Sequence, residues 1–192
     1  TMKFLNKIAD LDRSQTVGIL KESIGSSEFA AEMEKSKWEI IEVLLQRKIF
    51  LPELGQFFEK SDLVQLGDLH VQTGFTPSND LIEKLLSCGN LNAQDTVDDI
   101  FNTFSSIPVT NELVLMTINF GYVQLAHNLI RRMPKVDKGI FVALLNKIAS
   151  SEESIEMSPE VEEMILNNTH KVYLLGLILK CLRTHLIEVS DL

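Results

Sequence analysis

The side chains able to do chemistry in this chain are few and scattered. Its four histidines are His70, His127, His170 and His185. No two of them stand three or four residues apart, so the paired-imidazole spacing of a helical metal site is missing and structural or surface roles are expected. Cys88 and Cys181 have no Cys-x-x-Cys partner, which argues against a zinc site or a disulfide scaffold and for a reducing, intracellular compartment. Cys88 precedes Gly89 at an expected helix C-terminus, where the carbonyl dipole raises a thiol pKa, and Cys181 lies in an apolar run suited to inert packing. The acid pairs Asp98-Asp99, Glu152-Glu153 and Glu162-Glu163 diverge by about 100° on a helix, so they read as solvated faces rather than an acid–base pair. The glycines are dispersed at helix ends instead of clustered after a strand, which disfavours a phosphate loop. Asn167-Asn168-Thr169 matches a glycosylation acceptor, a short match that arises by chance. No catalytic, cofactor-binding or metal-binding residue is therefore assigned, and neither an enzyme nor a small-molecule substrate is expected.

One local cluster is basic. Arg131, Arg132, Lys135 and Lys138 surround Pro134 in an otherwise acidic chain. Cations at a helix C-terminus are favourable in themselves, by about 0.3–1 kcal/mol each, and that explains the cluster more simply than RNA does. An RNA or phosphate contact at Arg131, Arg132 and Lys135 is the competing expectation, and it would be confined to this patch and sensitive to salt.

The elements that hold these residues are marked by helix punctuation. Ser36 with Glu39 has the spacing of a capping box, followed by Trp38, Ile40, Ile41, Leu44 and Leu45 on one face. Pro52 suits the first turn of a helix carrying Leu54, Phe57 and Phe58. Ser61 and Asp62 precede a helix through Leu63, Leu66, Leu69 and His70 that stops at Gly74. Pro77 and Ser78 open the next, to Gly89; Asn92 or Ala93 opens another, closed before Pro108. Thr110 heads a helix ending at Gly121, Tyr122 to Met133 forms one ending at Pro134, and Asp137 heads Ile140 to Ile148. Beyond the acidic stretch Ser150 to Met157, Ser158-Pro159 restarts a helix, and Thr169 begins a last one, to about Val189, that is apolar on most sides. Short connections force antiparallel neighbours. The expectation is an all-α protein, an irregular α-solenoid or array of antiparallel helical hairpins, with residues 1–150 as one array and 151–192 as a terminal pair packed on it.

Composition agrees. The 192 residues are 45% hydrophobic with a formal net charge of −9, and hold 9 Gly and 5 Pro. That is enough apolar material for a core without staples, and too little glycine and proline for a turn-dense all-β or low-complexity chain. The run Val172 to Leu179 is too short to cross a bilayer, and the first residues lack the plan of a signal peptide. Thr1 before Met2 reads as a remnant of tag cleavage, and the end at Leu192 as a cut within a longer chain.

The segment Leu51 to Ser87, LPELGQFFEKSDLVQLGDLHVQTGFTPSNDLIEKLLS, resembles the C-terminal helical region of the nucleolar protein eleven family. Pro52-Glu53-Leu54, Lys60-Ser61-Asp62, Leu63 with Leu66, Pro77 and Leu85-Leu86 carry the likeness, which extends in helix order over Gln15 to Ser150. The chain departs from the pattern at Gly67, where the family has a large apolar residue, and near Asn90 to Asp95, where it lacks a long acidic insert. The resemblance implies a non-enzymatic subunit of the nucleolar small-subunit processome, acting in ribosomal RNA transcription and early processing. It also implies an N-terminal β-propeller upstream and docking to helical tails of other subunits.

Three functions are therefore weighed. The first is protein–protein interaction in that nucleolar assembly, with Leu174, Leu175, Ile178 and Leu182 of the final helix, and Trp38, as partner anchors. The second keeps the scaffold but makes it the tail solenoid of a vesicle-coat or tethering subunit. The third is RNA binding through the basic cluster.

Overall fold

A computed structural model of the chain describes residues 3–89 and 91–150, together with Pro159 and Glu163. Every regular element among them is helical, and no strand occurs among the described residues. The chain divides into two compact units, Thr1–Ser105 and Ser106–Leu192. The expected boundary after residue 150, and the terminal pair beyond it, fall outside the described residues.

Unit 1 holds α1 (Lys3–Ile8), α2 (Arg13–Ser23), α3 (Ser27–Gln46), two 3₁₀ turns (Pro52–Phe57 and Lys60–Asp62), α4 (Leu63–Thr73), α5 (Asn79–Leu86) and α6 (Leu91–Thr103). In unit 2 the described helices are α7 (Asn111–Asn119), α8 (Val123–Arg131) and α9 (Lys138–Ala149). Helices α4, α5 and α6 each touch the other two, and so do α7, α8 and α9. Each triplet is a closed local cluster around its leucines and isoleucines, with Leu85, Leu86, Val97 and Ile100 fully buried in one and Val114, Leu129, Ile130 and Leu144 in the other. Removing such side chains from water is worth about 1.5–3 kcal/mol each.

Most helix ends obey the sequence signals. Ser78, Thr110 and Asp137 accept from Leu81 N, Leu113 N and Gly139 N at 3.3, 3.2 and 3.0 Å. Gly74 and Gly121 stop α4 and α7 with φ of 60° and 87°. At Ser36 the helical dihedrals break (φ −139°, ψ 34°), so α3 is two helical segments joined at a kink, the first begun by a Ser26 cap and the second starting where the sequence places a helix start. In two places the chain departs from expectation. The Pro52 segment is a 3₁₀ turn rather than an α-helix, closed by i,i+3 bonds such as Leu54 N to Leu51 O at 3.0 Å and Phe58 N to Gly55 O at 3.3 Å. The Asp62 side chain does not cap α4; it takes Lys37 Nζ at 2.5 Å and, as the capping-box partner of the Lys60–Asp62 turn, Glu59 N at 2.9 Å.

Arg47, at the end of α3, gathers the N-terminal hairpin. Its guanidinium donates to Ile8 O (2.8 Å), Leu11 O (3.0 Å), Ala9 O (3.1 Å) and Thr16 Oγ1 (2.9 Å). Three of these acceptors are carbonyls of the end of α1 and the α1–α2 connection, where Ile8 O also accepts from Leu11 N at 3.1 Å, and the fourth is the Thr16 hydroxyl. The next residue, Lys48, turns the chain with φ 59° and sets its ammonium on Thr73 O at 2.5 Å.

Gly67 explains its own departure from the resemblance. A Cβ on it would stand 2.5 Å from Thr96 Cγ2 and 3.2 Å from Leu85 Cδ1, so α4 and α6 meet there backbone to side chain. Thr96 Oγ1 donates to Asp68 Oδ1 at 2.9 Å beside the same contact, and its β-branched side chain has little freedom to yield. Gly67→Ala is expected to destabilise the chain by about 1–2 kcal/mol in urea melts, overpacking outweighing the gain in helix propensity. Adding Thr96→Ser, which deletes the clashing methyl and keeps the hydroxyl, should restore most of that loss; a double variant no better than Gly67→Ala alone contradicts the contact.

Candidate functional site

Among the described residues of unit 1 the helices leave open a groove of about 700 Å³ between the 3₁₀ segment, the start of α4 and α5. Phe50, Phe58, Leu63, Leu66 and Leu81 supply its apolar surface; Glu59, Lys60, Asp80 and Lys84, all exposed, line it as well. The volume falls within the roughly 300–1,000 Å³ typical of sites for a drug-sized molecule, space that a few side chains would also fill. Pro52 and Gly55 form one edge, and a Cβ on Gly55 would meet nothing within 4 Å. Leu54, fully buried, pins this turn to the core, while Phe57 packs edge-on against Phe29 with ring centres 5.6 Å apart.

The aromatic wall continues inward as a chain of rings. Trp38 lies 6.0 Å from Phe58, Phe58 lies 6.1 Å from Phe50, Phe50 meets His70 edge-on at 5.6 Å, and His70 stacks on Phe75 at 5.5 Å. Lys37 Nζ sits 5.4 Å from the Trp38 ring centre and 5.7 Å from that of Phe58, so one ammonium serves two rings and the Asp62 carboxylate. Burial pushes the Asp62 carboxyl up, but its bonds from Lys37 and Glu59 N outweigh that and hold it below its ordinary value.

His70 is 2% exposed. Its Nδ1 lies 2.7 Å from Phe75 O, and a carbonyl only accepts, so Nδ1 carries the proton and the neutral ring presents a bare Nε2. That Nε2 is buried without a hydrogen-bond partner. Burial drives the imidazole pKa down, against a smaller upward pull from the Phe75 bond.

The residues singled out from sequence are not brought together. Leu174, Leu175, Ile178 and Leu182, with Cys181, His170 and His185, lie outside the described residues. Trp38 is half-buried against Phe58, one ring back from the groove. Arg131 and Arg132 form the last turn of α8 and its cap, and Lys135 is exposed in the following connection, all where the helix carbonyl end favours cations. His127 is buried in α8. Cys88 is half-buried, its Sγ 3.4 Å from Lys84 O, and burial raises its thiol pKa against a smaller opposing effect of Lys60. Among the described residues no group of three or more His, Cys, Asp or Glu side chains is placed to hold a metal. No described helix is long and apolar enough to cross a membrane.

The groove itself escaped the sequence reading. Its signal was the density of Phe50, Phe57 and Phe58 around Pro52 and Gly55, more aromatic surface than a six-residue turn can bury. No known family, curated protein or solved structure matches the chain.

Lys37→Met should lower stability near neutral pH by about 1 kcal/mol, through loss of a largely shielded ion pair and its ring contacts. Because the folded Asp62 pKa is depressed, the pair's contribution is complete above the ordinary 3.8 and lost as pH falls through the folded value. The gap between wild type and variant in thermal melts should narrow accordingly below pH 3.8. A gap independent of pH would contradict the pairing.

Proposed function

We propose that this chain is a non-enzymatic protein–protein interaction domain whose docking site is the groove of unit 1. The observation that carries the reading is the groove: two aromatic rings and three leucines line an open trough together with four exposed charged residues, a lining suited to the apolar side of an amphipathic partner segment. A helix in the groove would set one or two large side chains on Phe50, Phe58 and Leu81, and anchors of that kind supply most of the affinity at protein interfaces. The resemblance through Leu51 to Ser87 spans most of the residues that line the groove, and it points to a nucleolar small-subunit assembly as the place of action, with helical tails of neighbouring subunits as partners.

Nothing in the geometry of Arg131, Arg132 and Lys135 favours RNA over a capped helix end. The test is affinity capture from nucleolar extract by the chain and by Gly55→Trp, which fills the groove from a position with free space around it. Small-subunit assembly factors should be retained by wild type and by Gly55→Ala and be lost about tenfold with Gly55→Trp. Equal retention by Gly55→Trp would reject the groove as the docking site, and recovery of coat or tethering subunits in place of assembly factors would reject the nucleolar placement.

A further inference from the structure

We propose that His70 makes the groove acid-sensitive: the neutral imidazole holds Phe50 and Phe75 in place, and its protonation releases Phe50 from the groove wall. This concerns regulation of the docking site and rests on that reading of the groove, although its physical core can be measured without a partner.

The argument is geometric. Phe50 has two roles, lining the groove and packing edge-on against His70. On the other side, Phe75 stacks on the ring and returns its backbone to the same residue, Phe75 N donating to His70 O at 3.1 Å while Phe75 O accepts from Nδ1. The imidazole is thus clamped between two phenyl rings, with its one free nitrogen facing no acceptor. A proton added at Nε2 creates a buried N–H donor and a positive charge. Both demand water or an anion.

Neither is at hand among the described residues. In the connection after α3, Lys48 is a cation and sets its ammonium on Thr73 O, and Lys37 of α3 is tied to Asp62 of the second 3₁₀ turn. On α4 itself, Asp68 takes the Thr96 hydroxyl. Helix α5 offers Asp80 and Lys84, bound to each other at 2.8 Å, and an exposed Glu83; α6 offers Asp95, Asp98 and Asp99. No carboxylate of the described residues is shown paired with the ring. The ring must therefore turn out to reach water or admit water between the phenyls, and either movement ends the Phe50 contact.

The sign follows from the direction of the shift. The folded-state pKa lies below the ordinary 6.5, so above 6.5 the site is neutral and closed. As pH falls from there toward the folded value, the unfolded chain binds the proton more readily and stability declines, levelling off below it.

The only tryptophan of the chain, Trp38, reports on the device, since it contacts Phe58, which contacts Phe50. The experiment follows Trp38 emission, far-UV circular dichroism and the histidine ring signals in NMR from about pH 8 to 5 on the whole chain. One imidazole, assigned by its loss in His70→Gln, should titrate below 6.5, and Trp38 emission should change reversibly with the same midpoint while helix content is kept. Both His70→Gln and His70→Phe should abolish the emission change; the second keeps a planar ring in the clamp if the first fails to fold. Capture of partners should fall roughly fivefold or more between neutral and acidic pH in wild type and stay constant in the folded variants.

An emission change that persists in either folded variant, a His70 titration that leaves Trp38 untouched, or a change that coincides with loss of helix would each overturn the proposal. A Trp38 transition that behaves as expected in a chain whose Gly55→Trp variant still captures every partner would instead leave the switch standing and remove the docking site it was assigned to.

Discussion

The close approach of α4 to α6 at Gly67 is the contact on which unit 1 depends. With no side chain there, the α4 backbone comes within reach of the Thr96 methyl and the tip of Leu85, and the three helices α4, α5 and α6 close on one another. Everything else on α4 is then placed by its helical phase. Leu63 and Leu66 reach the groove, Asp68 meets Thr96, and His70 turns to Phe50 and Phe75. A larger residue at position 67 would move all of these together, since protein interiors are packed tightly enough to transmit such a shift.

A second constraint is electrostatic. The chain is strongly acidic as a whole, yet several of its described cations act at backbone carbonyls and aromatic faces rather than in exposed pairs. Arg47 and Lys48 bind carbonyls at helix ends, and Lys37 covers two rings. The exposed pairs Lys3–Glu28 and Lys84–Asp80 contribute little by comparison, because solvent screens them. The acidic balance is therefore a surface property and says little about what holds the core.

Helix termini were legible because they depend on local chemistry. Ser78, Thr110 and Asp137 cap where their oxygen reaches an orphan N–H, and Gly74 and Gly121 stop helices because they tolerate positive φ. Ser36 likewise marks a real break, since two helical segments meet at its kink, the first of them begun by the Ser26 cap. Tertiary competition explains the failure at Asp62, which had a partner in Lys37, 25 residues away, that outbid the helix N-terminus. The groove was invisible for the same reason. Its floor joins Phe50 and Phe58 to Leu66 and Leu81, and no periodic pattern along the sequence shows which apolar faces stay uncovered once helices pack.

The grip of Arg47 has a bearing on how the molecule is made. During synthesis α1 and α2 leave the ribosome before α3, but each buries only two side chains, and the carbonyls around their joint wait for a guanidinium encoded some thirty-five to forty residues later. The leading hairpin is consequently a late guest in its own unit. It gains these four bonds only when the far end of α3 has emerged.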